Sequence, residues 1–278
     1  MAAEIGGRRF DWTGRVSVMG IVNATPDSFS GDGLADPDEA VRRALRMVEE
    51  GADLIDVGGE STRPGHEPVS KEEELRRVLP VLRRLCPVCP VPVSIDTWKL
   101  PVAEAAADAG AAMVNDIWGL RRTPGLARLA AERGLGLVLM HNQDGTAYEG
   151  DLLAEIAGSL RWTLEGALAA GVPPERVLLD PGIGFGKTAA QGVEVLRRFA
   201  ELTALGQPLL VGVSRKSFLG RVFGQPLEER LPGTIAAVTA AVLRGAAVVR
   251  VHDVAEVTRA VRVAEALRPT PPGPPLVS

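Results

Sequence analysis

The sequence predicts an α/β fold, a single closed (β/α)8 barrel. Three observations carry that expectation. Apolar runs of strand length alternate with segments of helical period, and this pair of elements repeats about eight times along the chain. The strand-end positions are repeatedly polar, as they are where a parallel barrel builds its active face. The length of 278 residues suits one barrel of roughly 250 residues. Regular alternation implies parallel strands joined by right-handed crossovers, with an open doubly wound sheet as the competing architecture.

In chain order, strands are expected at residues 16–22, 54–57, 91–95, 112–114, 135–140, 177–179, 208–213 and 246–251. Each is a short, mostly apolar run of strand length. The helices between them are expected at 37–50, 71–85, 100–109, 124–133, 152–170, 189–205, 232–244 and 255–267. Several end at a glycine suited to the left-handed C-terminal position: Gly51, Gly110, Gly134 and Gly171. Residues 1–14 form an N-terminal extension, and 8–15 suit a small hairpin across the barrel's bottom because Phe10 and Trp12 alternate with polar neighbours. The barrel itself spans 15–267. Residues 268–278 carry five prolines and are expected to be extended and disordered. The helical stretch 233–243 is small or apolar around its whole circumference, which calls for cover by neighbours or by another subunit; a homodimer contact is the favoured reading.

Composition narrows the function. A net charge of −4 gives no basic surface for nucleic acid, and no run of 18 or more apolar residues suggests a membrane span, so a soluble cytoplasmic protein is expected. The first residues lack an apolar signal core, so the sequon at Asn23-Ala24-Thr25 should not be glycosylated. Only four lysines stand against 27 arginines, which singles out each lysine. Cys86 and Cys89 form one CxxC without a second pair or a strand-to-helix setting, and read as two reduced thiols rather than a zinc or redox site.

The stretch 177–187 is an apolar strand meeting Asp180 and then Gly182, Gly184 and Gly186. It fails the phosphate-loop pattern, because Pro181 occupies the required glycine position, and it fails GxGxxG as well. Its glycines instead let backbone approach a flat ligand beside Asp180 and Phe185. Around the strand ends stand Asn23; Glu60, Thr62 and Arg63; Asp96; Asn115 and Asp116; Met140 and His141; Asp180; Lys216 and Ser217; Arg250 and His252. They sort by type. Carboxylates and amides follow strands three, four and six, while Arg, Lys and His follow strands two, seven and eight. A two-ended ligand fits: a guanidine-like ring edge against the acceptors, and a phosphate or diphosphate against Arg63, Arg250, His252 and Lys216. Asn23 can add one oxygen to a magnesium ion shared with those phosphates. The long loops 24–35 and 58–70 read as lids, with Phe29 and Pro64 covering a second, flatter substrate and Phe185 on the opposite wall.

The motifs NATPDSFS (23–30), GGESTRPG (58–65), SIDT (94–97), VNDI (114–117), DPGIGFGK (180–187), VGVSRKSF (211–218) and RVHD (250–253) together resemble the dihydropteroate synthase family of the folate pathway. The resemblance implies a homodimeric TIM barrel that uses magnesium and joins 7,8-dihydropterin-6-ylmethyl diphosphate to 4-aminobenzoate, giving 7,8-dihydropteroate and pyrophosphate. It implies pterin contacts at Asp96, Asn115, Met140, Asp180, Gly212, Lys216 and Arg250, and diphosphate contacts at Asn23, Thr62, Arg63, Arg250 and His252, with magnesium at Asn23. Phe29, Thr62, Pro64, Phe185 and Ser217 fall around aminobenzoate, and Arg63, Lys216, Arg250 and His252 are the residues implied in catalysis. In the family the C–O bond is held to ionise before the amine attacks. One departure is visible: Ser30 is followed by Gly31 before Asp32, and His66 has no counterpart role. A pterin-binding methyltransferase barrel shares the acceptor pocket without needing the basic set.

Overall fold

A computed structural model describes residues 1–25, 36–60 and 69–268. A short hairpin, β1 (Ala2–Ile5) and β2 (Arg8–Asp11), precedes eight parallel strands: β3 (Ser17–Asn23), β4 (Leu54–Gly58), β5 (Val93–Asp96), β6 (Met113–Asp116), β7 (Gly136–Met140), β8 (Val177–Asp180), β9 (Leu209–Gly212) and β10 (Ala246–Val251). They close into a barrel in chain order, β10 pairing with β3 to seal the ring. The expected (β/α)8 architecture is therefore the observed one. Several strands run one residue further than their apolar runs, onto Asn23, Gly58, Asp96 and Asp180. The reason is the ladder: a polar residue paired on a neighbouring strand is held as firmly as an apolar one.

The outer ring holds α1 (Pro37–Glu49), α2 (Lys71–Leu85), α3 (Leu100–Asp108), α4 (Gly125–Arg133), α5 (Leu152–Ala169), α6 (Ala189–Arg197), α7 (Ser217–Phe223), α8 (Arg230–Leu243) and α9 (Val254–Ala266). Two expectations need correction here. The helix expected over 189–205 stops at Arg197 and continues as a 3-10 segment, Phe199–Leu205. It turns at Arg198, whose guanidinium is held by Asp151, Glu194 and Glu201. The stretch after β9 contains the additional α7, seven residues ended by left-handed Gly224, too short to show a helical period. The helix after it begins at Arg230 rather than at 232.

The hairpin is also a correction. It comprises Ala2–Asp11, not 8–15, and it turns through Gly6 and Gly7 at φ 56° and 73°. Two consecutive left-handed residues are what a tight hairpin turn requires. Ala3, Ile5, Phe10 and Trp12 then plug the barrel floor against Met19, Leu54, Met113, Leu178, Leu210 and Val248. Phe10 stacks on Trp12 at 4.9 Å, and the Trp12 indole donates to the Glu175 carbonyl at 2.9 Å. Buried Asp53 fastens the plug, accepting from Arg8 at 3.1 Å, Arg15 at 2.8 Å and the Val18 amide at 3.1 Å. A second, larger core fills the space between strands and helices. No helix among the described residues is long and apolar enough to cross a membrane. Residues 269–278, the greater part of the expected tail, lie outside the described residues. Arg268, where that tail was expected to begin, donates to the Val242 and Ala246 carbonyls.

Candidate active site

Pairing register sets residues near the strand ends beside one another in three groups. Asn23 faces Gly58, Gly58 faces Asp96, and Asp96 faces Asn115. Met140 faces Asp180 across β7 and β8, and Arg250 faces Gly212 across β10 and β9. Side chains two residues apart share a face, so the parity of floor residues Met19, Met113, Val138, Leu178, Leu210 and Val248 carries Asn23, Asn115, Met140, Asp180, Gly212 and Arg250 toward the barrel interior. The structure thus brings together the pterin-binding residues expected from sequence.

At the centre lies a network that includes one residue the sequence reading passed over. Asp56, fully buried in the middle of β4, accepts from the Asn115 amide at 2.9 Å and from Arg250 Nε at 2.6 Å. Arg250 Nη2 donates to Asp96 at 2.7 Å. One guanidinium thus bridges two buried carboxylates. Burial pushes the Asp96 carboxyl up to about 7, against the pull of Arg250 and with the charge of Asp56 adding to the rise. Among the described residues, neither Asp56 Oδ1 nor Asp96 Oδ1 has a hydrogen-bond partner. Buried acceptor oxygens of this kind suit the N–H groups of a polar ring.

Opposite them, Asp180 accepts from the Gly182 amide at 2.7 Å, and burial raises its pKa while Lys216 resists the rise. Lys216 donates to the Ile183 carbonyl and sits 4.7 Å from the centroid of the Phe185 ring. Burial pulls its ammonium down to about 8, opposed by the charge of Asp180. A side chain at Gly212 would stand 3.8 Å from Lys216 Nζ and 4.0 Å from Arg250 Cβ, so glycine there keeps the floor between two cations flat. Met140 is buried at the end of β7. His252 is half-buried after β10 and is oriented by Ser214, whose hydroxyl lies 2.9 Å from Nδ1 and accepts from the His252 amide at 3.2 Å. Ser214 is a second residue that sequence reading did not single out. Ser217 begins α7 and is exposed, and Asn23 is half-buried at the end of β3. Phe29, Asp32, Thr62, Arg63, Pro64 and His66 lie outside the described residues.

Three members of the sequence-derived ring are turned to other work. Asp116 accepts from the amides of Trp118 at 2.9 Å and Leu120 at 2.6 Å, bracing the turn after β6 rather than facing the interior. Glu60 pairs with Lys99 and His141 with Lys187. Cys86 and Cys89 are free thiols, and burial raises the pKa of both.

The glycine-rich loop tests its own geometry. Gly182 has φ 67°, and a Cβ there would meet the His141 carbonyl oxygen at 2.0 Å. Gly182→Ala is therefore expected to lose about 2 kcal/mol or more of stability, because left-handed backbone costs an alanine roughly 1–2 kcal/mol before the clash is counted. Denaturant melts of both proteins check this; equal midpoints would show that the loop sits elsewhere.

Comparison with known proteins decides the family. The pterin binding enzyme profile matches residues 19–252. Dihydropteroate synthase of Clostridium beijerinckii is 45% identical over 264 residues, covering 94% of this chain and 98% of that one. This chain belongs to the dihydropteroate synthase family. Among solved structures, Clostridium difficile dihydropteroate synthase in the presence of pteroic acid superposes with a TM-score of 0.88 at 47% identity, covering 93% of this chain and 98% of its own. The Xanthomonas albilineans dihydropteroate synthase with 4-aminobenzoic acid gives 0.89 at 42% identity, covering 97% and 99%. The dihydropteroate synthase resemblance read from seven motifs thus extends over the whole barrel.

Proposed function

We propose that this chain condenses 7,8-dihydropterin-6-ylmethyl diphosphate with 4-aminobenzoate, giving 7,8-dihydropteroate and pyrophosphate. The observation that carries this reading is the buried row Asp96, Asn115 and Asp180 standing in one chamber with Lys216 and Arg250. The acceptors receive the N–H groups of the pterin edge, Met140 and Gly212 line its ring, and the face of Arg250 stacks on it. His252 and Arg250, joined by Arg63, Thr62 and Asn23, hold the diphosphate. Phe185 and Ser217, with Phe29, Thr62 and Pro64, border the aminobenzoate.

In the reaction the C–O bond to diphosphate breaks first and its electron pair leaves with the phosphate oxygen. Asp96 and Asp180 stabilise the positive charge that spreads over the pterin, and the cationic residues stabilise the departing diphosphate. The aryl amine then forms the C–N bond and loses its proton to solvent. It is neutral near pH 7, so no strong base is needed. Among the described residues no cluster of carboxylates, histidines or cysteines could hold a metal by itself. Asn23 offers one amide oxygen at the chamber's rim, so it fits magnesium only together with diphosphate oxygens, and the ion when bound would offset leaving-group charge. The test is a coupled assay of the purified protein with both substrates and magnesium. Equal formation of pyrophosphate and dihydropteroate, dependent on aminobenzoate, supports the reading. Tight pterin binding with neither product would overturn it in favour of the methyltransferase or a binding-only barrel.

We also propose that the chain works in the cytoplasm as a homodimer joined through α7, α8 and α9. Val222 and Phe223 on α7, Leu243 on α8, Val263 on α9 and Leu267 just after it are all exposed, and Arg268 ties the ends of the last two helices together. Single exposed apolar residues are ordinary, but several on three neighbouring helices call for cover. Val263→Glu is expected to give a folded monomer by light scattering, where wild type gives twice that mass. A wild-type monomer would remove the dimer.

A further inference from the structure

We infer that Lys187 is a positioning residue that holds the glycine-rich loop in the shape presenting Phe185 and the Ile183 carbonyl to Lys216. The inference rests on the proposed condensation, because it assigns that wall to aminobenzoate. Lys187 follows the loop's last glycine and is buried beneath it. Its Nζ lies 2.8 Å from His141 Nδ1 and donates to the carbonyls of Gly182 at 3.1 Å and Phe185 at 3.0 Å. Three acceptors match the three N–H bonds of an ammonium, whereas a neutral amine has only two. Burial draws this amine down to about 7 and the charge of Asp180 resists. The full set of acceptors favours the charged form. His141 must then accept through Nδ1, so its ring is neutral and carries its proton on Nε2. Burial and the nearby Lys187 charge press the ring pKa down to about 3, in the same direction.

Besides Lys187, the loop is held by the Phe185 amide donating to the Gly182 carbonyl at 3.0 Å and by buried Ile183. Gly182, Gly184 and Gly186 all have positive φ, at 67°, 88° and 56°. A chain with three such residues samples many conformations unless it is tied. The ties run inward, where the loop presses on the segment after β7: a Cβ at Gly186 would stand 2.8 Å from the Gln143 carbonyl oxygen, and the Tyr148 hydroxyl donates to the Gly186 carbonyl at 2.9 Å. Lys187 grips the carbonyls on both sides of residues 183 and 184. The outward face of that short span is what meets the other lysine: Ile183 O takes the Lys216 ammonium and the Phe185 ring lies beside it. One lysine shapes the loop from below; the other reads it from the chamber.

Lys187→Met keeps much of the side-chain volume and removes the three bonds. It is expected to raise the KM for 4-aminobenzoate about tenfold or more, since misplacing a binding group by about 1 Å can cost on the order of a hundredfold. The calorimetric Kd for the pterin diphosphate should change less than this KM, because Asp96, Asn115 and Arg250 are tied independently of the loop and only Asp180 and Lys216 among the pterin contacts hydrogen-bond with it. Hydrogen exchange of the amides at 182–187, measured without substrates, should speed up while the floor strands stay unchanged. Rescue separates positioning from bulk. Lys187→Cys in a Cys86→Ser, Cys89→Ser background, alkylated with 2-bromoethylamine, restores an ammonium at the same reach and should recover the aminobenzoate KM. Unchanged exchange at 182–187 in Lys187→Met, equal losses of both substrates, or a rescued ammonium without recovery of KM would each overturn the assignment. An inactive wild type would instead overturn the proposed function, and the exchange measurement distinguishes the two.

Discussion

Asp180→Asn is expected to weaken binding of the pterin diphosphate about a hundredfold, near 3 kcal/mol, while the barrel stays folded. The substitution is isosteric, and the remaining amide oxygen can still accept from Gly182. What changes is the other atom: an acceptor facing ring N–H groups becomes a donor, and two donors confront each other in a buried chamber. The charge change has a pH signature of its own. Lys216, drawn down to about 8 by burial, is kept from falling further by Asp180. Without that carboxylate its ammonium loses its proton at lower pH. Binding that requires the charged lysine should therefore fail at a lower pH in the variant than in wild type, so the alkaline limb moves to the acid side. Calorimetric titrations across pH measure both effects. Unchanged affinity would remove Asp180 from the site.

Lys99→Met is expected to destabilise the fold by about 3–5 kcal/mol, which lowers the melting temperature by roughly 8 °C or more in a chain of this size. Lys99 joins Glu60, at the end of the β4 segment, to Glu74 on α2, the latter at 2.5 Å, and all three side chains are largely buried. The lysine's own pKa rises through these two contacts against the opposing effect of burial. Removing it leaves two carboxylates together in low dielectric. Glu74 already has a raised pKa, burial being the largest cause. A carboxylate raised in the folded state binds more protons there than in the unfolded chain, so its stability contribution falls as pH rises through that value. In the variant the rise should be larger, and the deficit should be smaller near about pH 4 than near about pH 7, since protonation relieves the buried charge. Melting curves at both pH values test this. Equal melting temperatures for variant and wild type at neutral pH would show the triad to be energetically idle.

These two sites differ in how far they could be read in advance. Asp180 stood at the end of an apolar run, and strand ends of parallel barrels are where polar side chains meet ligand, so Asp96, Asn115, Asp180, Lys216 and Arg250 could be picked as candidates from sequence. Asp56 could not be picked that way, because it lies inside its run, where a carboxylate looks like an interruption. Parity would have found it: Leu54, Asp56 and Gly58 share one face, as do Met113 and Asn115. The same rule excludes Asp116, which must point opposite to its neighbour. The hairpin's first strand was missed because Ala2-Ala3-Glu4-Ile5 shows no apolar run, although Gly6-Gly7 is itself a turn signal. Lys99 with Glu60 and Glu74 was beyond sequence reading, since nothing local to three separate segments says that they meet.

The seam between β10 and β3 sets an order of events in the cell. The first barrel strand to leave the ribosome must wait for the last, more than two hundred residues later, before its open edge is paired. At about 5–20 residues per second that interval is on the order of tens of seconds. Throughout it the nascent sheet carries two unpaired edges that invite pairing with another chain. The hairpin, made first, belongs on a floor whose final wall, Val248, is also made late. Chains cut short before β10 are therefore expected to aggregate, because only the two ends of the ring can close it.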